Sequence, residues 1–212
     1  MKKFDFQTIQ NFDKHILQSI PNYDLLFESI LRISDYFKDN SKTIYDIGCS
    51  TGKLLKALDF KGTKIGIDNS PNLLPKSTNG IKFIEFDLNN HFKFKNACII
   101  YSIFTLQFLK KENRQDIVNR IYNGLCKGGA FIIAEKTYTQ HSIMQDIFTF
   151  SYYDYKKASF TEKDILEKEK DLRLILHPNT SSENRNMIYN AGFNTIEMFY
   201  KYFQFEAYLC IK

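Results

Sequence analysis

The sequence predicts an α/β fold in which parallel strands alternate with helices, and three observations support this prediction. Strand-like and helix-like segments alternate from residue 43 to residue 135. The first strand, 43–47, runs into a glycine turn between Gly48 and Gly52 that opens a helix. Asp68 ends the second strand, 20 residues after Gly48. Alternating strands and helices imply right-handed parallel crossovers, and such sheets bind ligands beyond the carboxyl ends of their strands.

Two amphipathic helices are predicted ahead of the first strand. Apolar side chains recur at helical spacing over residues 5–18 and again from Tyr23 to Phe37. Pro21 separates the two helices, because the residue before a proline avoids the helical region. We interpret residues 1–40 as an N-terminal helical cap.

The central part of the chain is predicted to contain five strands, at residues 43–47, 63–67, 81–86, 97–101 and 130–135. Helices are expected at 52–60 and 112–125, with a short turn after Ser70 and Pro71. We expect Gly128 and Gly129 to end the long helix and to release the fifth strand.

Beyond the fifth strand the pattern changes to an aromatic helix at 139–157 and a charged helix at 161–175. We interpret residues 137–178 as a helical insertion that covers the site. The basic side chains of the charged helix are expected on a solvated face, and they are Lys163, Lys168, Lys170 and Arg173.

The C-terminal part is predicted to form one more helix and a hairpin. Thr180 and Glu183 fit the capping box of a helix that runs to Ala191 and ends at Gly192. Strands at 194–200 and 203–211 are separated by two residues, which predicts an antiparallel hairpin on the sheet edge. We interpret residues 1–212 as a single domain.

The composition is that of an ordinary globular protein, with 43% hydrophobic and 25% charged residues among 212. No apolar run approaches the ~18 residues that span a bilayer, and the start has no signal-peptide pattern. We therefore expect no membrane partner and a cytoplasmic location. The net charge of +5 is spread along the chain, so no direct nucleic-acid binding is required.

The cysteines are expected to be free thiols. No two of them form a Cys-x-x-Cys pair, which argues against a disulfide framework and against a metal site. A nucleophilic role for one of them would fall to Cys49, but the glycine turn already accounts for its position. The four are Cys49, Cys98, Cys126 and Cys210.

The spacing of the glycine turn selects the kind of ligand. Gly-x-x-x-Gly is neither a dinucleotide fingerprint nor a Walker loop, so a nucleoside without a pyrophosphate fits better. Asp68 can accept hydrogen bonds from both hydroxyls of a ribose. Asp87 can accept one from an adenine amino group, or it caps a turn instead. The candidates at or just past strand ends are Asp46, Gly48, Asp68, Asp87 and Ser102.

These motifs resemble the class I S-adenosylmethionine-dependent methyltransferase family. The resemblance rests on Asp46-Ile-Gly-Cys-Ser-Thr-Gly52, Gly66-Ile-Asp-Asn-Ser70, Asp87 and the terminal hairpin. It implies a Rossmann-like seven-stranded sheet with helices on both faces and the last strand antiparallel. It also implies that Asp68 holds the ribose, and that the turn at Gly48 holds the methionine part of the cofactor. Asp87 or its neighbour Leu88 would hold the adenine.

A narrower resemblance is to the carboxy-S-adenosyl-L-methionine synthase family. It rests on motifs along most of the chain, including Ser19-Ile-Pro-Asn-Tyr23, Phe104-Thr-Leu-Gln-Phe-Leu109, Ala134-Glu-Lys136 and Ala191-Gly-Phe193. It implies that the methyl group of S-adenosyl-L-methionine is carboxylated with prephenate, which yields phenylpyruvate, for tRNA wobble-uridine modification. It also implies a homodimer through residues 139–160. The implied cofactor residues are Tyr23, Gly48, Cys49, Ser50, Asp68, Asn69, Asp87 and Leu88.

Two positions depart from the family pattern and leave alternatives open. Ile103 stands where the family has an asparagine, and Met187 stands where it has an arginine that would grip the new carboxylate. Arg185 could replace that arginine. The alternatives are a conventional methyltransferase acting on a small molecule and a cofactor-binding protein without turnover. No catalytic residue is assigned, and the substrate-side candidates are Tyr152, Tyr153 and Arg185.

Overall fold

The computed structural model of the protein describes residues 11–78 and 80–212. The first part of the predicted N-terminal helix, at residues 5–10, lies outside them. The described chain builds a seven-stranded sheet in the order β3-β2-β1-β4-β5-β7-β6. The strands are β1 Thr43–Ile47, β2 Thr63–Asp68, β3 Ile81–Glu85, β4 Ala97–Ile103, β5 Leu125–Lys136, β6 Thr195–Tyr202 and β7 Phe205–Ile211.

The pairing of the strands confirms the predicted fold class. β1 to β5 pair in parallel, whereas β7 pairs antiparallel with both β5 and β6. The terminal hairpin therefore inserts its second strand beside β5 and leaves β6 at the edge. The strand order reverses between β1 and β4, which is where open α/β sheets bind their ligands.

Helices cover both faces of this sheet. Their bounds are α1 Phe12–Ser19, α2 Tyr23–Ser34, α3 Lys53–Ala57, α4 Lys111–Gly124, α5 Ser142–Lys156, α6 Glu162–Leu172 and α7 Ser181–Asn190, with a 3₁₀ helix at Leu106–Phe108. The capping box of α7 is present as predicted, because the side chains of Thr180 and Glu183 each accept from the other's backbone N–H. None of these helices is long and apolar enough to cross a bilayer.

Two apolar clusters lie on opposite faces of the sheet, because successive strand residues point to opposite sides. In β5, Phe131 and Ile133 join the cluster under α4 and α7, whereas Ile132 and Ala134 join the cluster under α2, α3 and α5. By the same alternation, Lys136 points to the α2 and α5 face.

The boundary predicted at the glycine pair was wrong. The helix α4 ends at Gly124, and β5 begins at the next residue, so Gly128 and Gly129 lie inside a strand. Gly128 has a φ of +77° and donates its N–H to Lys212 O at 2.8 Å, while Lys212 N donates to Gly129 O at 3.0 Å. The pair forms an irregularity in the strand rather than a helix end, and a glycine pair in sequence is compatible with both.

Candidate active site

A cavity of about 460 Å³ opens at the carboxyl ends of β1, β2, β4 and β5. It lies at the reversal of strand order, where the sequence predicts a site. The helices α1, α2 and α6 cover it, and the loop 104–109 forms a side wall. A volume of this size is in the range of pockets that hold small molecules and cofactors.

The glycine turn after β1 forms part of the cavity wall with its backbone. Gly48 has a φ of +72°, and a Cβ there would lie 2.1 Å from Thr105 Oγ1. That hydroxyl donates to Ile47 O at 2.9 Å, which fixes Thr105 against the turn. Only glycine allows both this backbone angle and the close approach of Thr105. The turn therefore has no side chain at Gly48, and a ligand can contact its peptide groups directly.

Asp68 joins the glycine turn to the loop after β2. Its Oδ2 accepts from Ser50 N at 2.9 Å, and its Oδ1 accepts from Ser70 N at 2.8 Å. The side chain is 8% exposed and lines the cavity. Each carboxylate oxygen has a second lone pair, so Asp68 can still accept hydrogen bonds from a ligand.

Asp46 and Asp13 are two further acidic residues in the cavity wall. Burial and the charge of Asp68 raise the pKa of Asp46 to about 8. Asp13, from α1, accepts from Thr51 Oγ1 at 2.9 Å and so ties the helical cap to the glycine turn. We call Asp13, Asp46 and Asp68 the acidic end of the cavity.

Cys49 lies between these acids and is not activated as a nucleophile. Its side chain is buried, and a Cβ on Gly66 would lie 2.7 Å from its sulfur. Burial raises the pKa of the Cys49 thiol, and the charges of Asp46 and Asp68 raise it further. The thiol therefore stays protonated, which excludes the thiolate that nucleophilic catalysis needs.

The loop 104–109 is held in place by Glu135 at the end of β5. The Glu135 carboxylate accepts from the backbone N–H groups of Leu106 and Gln107 at 2.9 and 2.8 Å. Burial raises the pKa of Glu135 to about 8, an effect that the nearby Arg114 and these hydrogen bonds reduce. Lys136 N donates in turn to Gln107 Oε1 at 2.8 Å. The motifs Phe104–Leu109 and Ala134–Lys136 thus support each other and position Thr105.

A group of basic side chains also lines the cavity. His15 from α1, Lys136 from β5 and Lys168 from α6 all line it, next to Tyr152 from α5. We call His15, Lys136 and Lys168 the basic end. None of the three was identified from sequence as a site residue, and Lys168 was predicted on a solvated face. That prediction was wrong for Lys168, which is partly buried, whereas Lys163, Lys170 and Arg173 are exposed.

Most of the predicted cofactor residues lie in the cavity wall. They are Tyr23, Asp46, Gly48, Cys49, Ser50, Asp68, Asn69 and Leu88. Tyr23 is the first residue of α2, and Lys53 Nζ stands 5.6 Å from the centre of its ring. Of the substrate-side candidates, Tyr152 lines the cavity and is 5% exposed.

The structure places four predicted site residues away from the cavity wall. Asp87 is exposed, and its Oδ1 accepts from Asn89 N at 2.9 Å, which is the turn-capping alternative. Ser102 is fully buried but pairs with Ile47 and Ile133, which both face the α4 and α7 side of the sheet.

Tyr153 and Arg185 are the other two predicted site residues that lie away from the cavity wall. Tyr153 follows Tyr152 on α5, so the helical rotation turns it away from the cavity. Arg185 is exposed on α7, which packs against α4 on the opposite face of the sheet. Met187 is buried in the core beneath that helix.

Comparisons with known proteins agree with this geometry. The methyltransferase domain family matches residues 45–133. The carboxy-S-adenosyl-L-methionine synthase of Staphylococcus epidermidis is 35% identical over 97% of this chain and 94% of that protein. The one of Methylococcus capsulatus is 33% identical over 95% of this chain and 89% of that protein.

Solved structures support the fold. The crystal structure of human N-acetylserotonin methyltransferase in complex with S-adenosylmethionine matches with a TM-score of 0.57 and 17% identity. The match covers 95% of this chain and 55% of that chain. From the two near-full-length relatives, the chain belongs to the carboxy-S-adenosyl-L-methionine synthase family of class I S-adenosylmethionine-dependent transferases.

Proposed function

We propose that the chain binds S-adenosyl-L-methionine in the cavity and transfers a carboxyl group from prephenate to its methyl group. The products are carboxy-S-adenosyl-L-methionine, phenylpyruvate and water, because prephenate loses its ring hydroxyl with the carboxyl group and the methyl group loses one proton. The observation that carries this proposal is that one cavity has both an acidic end, which suits a cationic cofactor, and a basic end, which suits an acidic substrate. The names of the curated relatives support the same reaction.

The residues present fit this cofactor. S-adenosylmethionine carries two positive charges, a ribose diol and an adenine, and it carries no phosphate. Asp68 has free acceptor positions for the diol, and a bound cation would favour the ionised form of Asp46 beside the glycine turn. Leu73, Phe86 and Leu88 give the cavity an apolar wall for a flat base. The contact of Gly48 with Thr105 leaves the turn as bare backbone, which a ligand can approach closely.

The chain contributes positioning and electrostatics to the reaction. When bound, the cofactor supplies a methyl group that the neighbouring sulfonium charge activates. Asp46 and Asp68 hold the cationic nucleoside at the strand ends, and the loop anchored by Glu135 closes the side wall. The cover of α1, α2 and α6 keeps bulk water away from the reacting groups. Fixed orientation and preorganised charge together lower the barrier without a protein nucleophile.

A second candidate function is methyl transfer to a small molecule. Two observations favour it: Ile103 lines the cavity, where the family resemblance implies an asparagine, and Met187 is buried, where it implies an arginine. Both changes remove polar groups that would hold an acidic substrate.

Mass spectrometry separates the two functions. The purified protein is incubated with S-adenosylmethionine, with and without prephenate, and the small molecules are weighed after denaturation. A carboxylated sulfonium that forms only with prephenate supports carboxyl transfer. S-adenosylhomocysteine that forms only after small-molecule methyl acceptors are added, while prephenate is not consumed, supports methyl transfer instead.

The wider organisation is also part of the proposal. We infer one domain over residues 1–212, with residues 1–40 as a cap and residues 137–178 as an insertion over the cavity. The carboxylated product of the reaction would serve tRNA wobble-uridine modification in the cytoplasm. Exposed apolar side chains on α5, such as Ile143 and Phe150 at 73% and 64% exposure, support a homodimer through that helix. Light scattering of the purified chain would test the dimer.

A further inference from the structure

The amino-terminal ends of the parallel strands, at the far end of the sheet from the cavity, form a basic surface. We propose that this surface binds a single strand of nucleic acid through its phosphate backbone. The inference goes beyond the proposed function and does not rest on it, because it uses only residues outside the cavity wall.

Each of the five parallel strands has a lysine within two residues of its first residue. Lys42, Lys61 and Lys95 precede β1, β2 and β4, whereas Lys82 and Lys127 are among the first three residues of β3 and β5. Neighbouring strands are about 4.8 Å apart, so the order β3-β2-β1-β4-β5 sets these strand starts along a line of roughly 19 Å. We call these five lysines the basic edge.

The net charge of +5 is spread along the sequence, but the fold gathers it at this edge. The segments that lead into the five strands hold eight lysines and only two acids, Asp39 and Asp59. The segments are residues 38–42, 59–63, 76–82, 93–96 and 125–129. The lysines are Lys38, Lys42, Lys61, Lys76, Lys82, Lys93, Lys95 and Lys127. The local excess exceeds the net charge of the whole chain, so the rest of the molecule is close to neutral.

The lysines of the basic edge are accessible to a partner. Lys42 is half-buried, and the other four are exposed. None of the five forms an ion pair within residues 11–78 and 80–212. Lys42 and Asp39 do attract each other, but Asp39 Oδ1 already accepts from Ser41 N at 3.0 Å and from Ser41 Oγ at 2.7 Å. The edge therefore keeps most of its positive charge for a ligand.

A groove lies between the segments ahead of β1, β2 and β3, and Lys42, Lys61 and Lys82 line it. Among the described residues of its wall, the other side chains are polar except for Ile81, which is buried. The polar ones are Asn40, Ser41, Thr43, Thr63, Ser77, Thr78 and Asn96. Phosphate oxygens accept hydrogen bonds from lysine, asparagine, serine and threonine side chains. The groove thus offers the donors that a phosphate backbone uses.

Hydrogen bonds between the segments hold this edge in shape. Asn40 Oδ1 accepts from Lys61 N at 3.0 Å, which joins the segments ahead of β1 and β2. Asn96, ahead of β4, donates through Nδ2 to Ser41 O at 3.4 Å and accepts at Oδ1 from Cys126 Sγ at 3.4 Å. The backbone of the edge is therefore positioned before a partner binds, which lowers the cost of ordering it.

The same features favour nucleic acid over an acidic protein as the partner. Protein interfaces depend on a buried apolar or aromatic centre, and the groove offers none, since Ile81 is 8% exposed. Sequence-independent binding of nucleic acid needs only positive charge along the phosphates. One lysine at each strand start makes a single row, which matches one phosphate backbone. The five residues of β1 place this row about 16 Å from the cavity, so a bound strand leaves the cavity open.

The test measures binding of a fluorescein-labelled oligothymidylate of about 20 nucleotides by fluorescence anisotropy, from about 50 to 200 mM salt. The variant is the double substitution Lys61→Gln and Lys82→Gln. It should weaken binding roughly tenfold or more at the lowest salt, because two phosphate contacts are lost. The slope of log affinity against log salt should become shallower by about 0.7 for each contact, or about 1.4 in all.

The matched control removes the same amount of charge from another surface. Lys163→Gln with Lys170→Gln changes two exposed lysines of α6 and should leave both the affinity and the slope unchanged. Both double variants should melt at the temperature of the wild type, because exposed substitutions of this kind leave stability nearly unchanged. Equal affinities and equal slopes in the two double variants would overturn the proposal.

A competitor identifies the class of partner. Polyglutamate, added at the same concentration of charge as the oligothymidylate, should displace it poorly, because polypeptides gain affinity from apolar contacts that the groove lacks. Full displacement would identify an acidic protein as the better partner and would overturn the assignment to nucleic acid. Prephenate consumption is measured separately. If it is absent while oligothymidylate binding still depends on Lys61 and Lys82, carboxyl transfer is wrong and the nucleic-acid surface stands.

Discussion

The two ends of the cavity hold buried charge in different ways. At the acidic end, Asp68 is fixed by two backbone N–H groups within one short segment, Asp46 to Ser70. At the basic end, long lysine side chains come from separate elements, and the Glu169 carboxylate, 3.6 Å from Lys136 Nζ, raises the pKa of each of them. In both places, burial, followed by the like charge of a neighbour, moves the pKa values toward the neutral forms, upward for Asp46 and downward for Lys168. Each end is thus prepared for a ligand of the opposite charge.

The basic end depends on a single residue, whereas the acidic end does not. Several backbone groups hold the acidic end, so no one side chain keeps its geometry. At the basic end, the charge of Glu169 acts on Lys136, Lys156 and Lys168 together, and that residue is 8% exposed. Removing it should therefore affect the fold more than any other change in the cavity.

The largest effect is expected for Glu169→Gln. Breaking a buried ion pair by removing one partner costs about 3 kcal/mol or more of the free energy of unfolding, because the remaining charges stay buried. We expect a loss of about 3 kcal/mol near pH 7 in urea denaturation. The loss should shrink toward pH 9, where Lys156 and Lys168 give up protons.

The matched control for this change lies on the same helix. Glu167 pairs with Lys163 at 3.9 Å, but both side chains are exposed, at 62% and 81%. Surface pairs of this kind contribute about 0–1 kcal/mol, so Glu167→Gln should be close to neutral. If the two variants were equally stable, Glu169 would not be the counter-charge that the basic end needs.

The second largest effect is expected at the acidic end. Asp68→Ala should weaken S-adenosylmethionine binding by about 2–3 kcal/mol, the typical loss for hydrogen bonds to a charged group. Isothermal calorimetry would measure it. Asp87→Ala is the control, since Asp87 also follows a strand but is exposed and outside the cavity wall. Equal affinities in the two variants would remove Asp68 from the site.

The same contrast explains what the sequence could predict. The acidic end is local: a strand, a glycine turn and an acid after the next strand lie within residues 46–70, and parallel pairing aligns Asp46 with Gly66. Spacing along the chain therefore predicts their proximity in space. The terminal hairpin and the capping box of α7 follow from equally local patterns.

The basic end joins residues more than 100 positions apart, and no local pattern brings them together. One signal was present, because Lys168 lies between Ile165 and Leu172 at helical spacing and thus on the buried side of α6. Ser102 is the opposite case, because the sequence predicted it in the site and the structure places it away from the cavity wall. A position at the carboxyl end of a strand places a residue at the correct edge of the sheet. It does not fix the face of the sheet to which the side chain points, because successive strand residues point to opposite faces.

A smaller effect is expected in the pH dependence of cofactor binding at the acidic end. Because the pKa of Asp46 is about 8, a cationic ligand must favour its ionised form. The affinity for S-adenosylmethionine should therefore rise with pH up to about 8, by no more than tenfold per unit. Asp46→Asn removes this contribution, so the wild type should show the steeper profile in calorimetry from pH 6 to 8. If the affinity of the wild type and of Asp46→Asn changed equally with pH, the ionisation of Asp46 would not be coupled to binding of the cationic cofactor.

The smallest effect concerns the stability of the protein without ligand. Between the folded pKa values of Lys168 and Lys156, about 7 and 8, and the unfolded value of 10.5, the unfolded chain binds more protons. These lysines therefore add stability as pH rises through this window. Asp46 and Glu135, with pKa values of about 8, oppose the trend mainly below pH 8. From pH 8 to 9 we expect the melting temperature to rise about 2–4 °C more in Lys163→Gln than in Lys168→Gln. An identical change in both variants would show that Lys168 is already charged when the cavity is empty of anions.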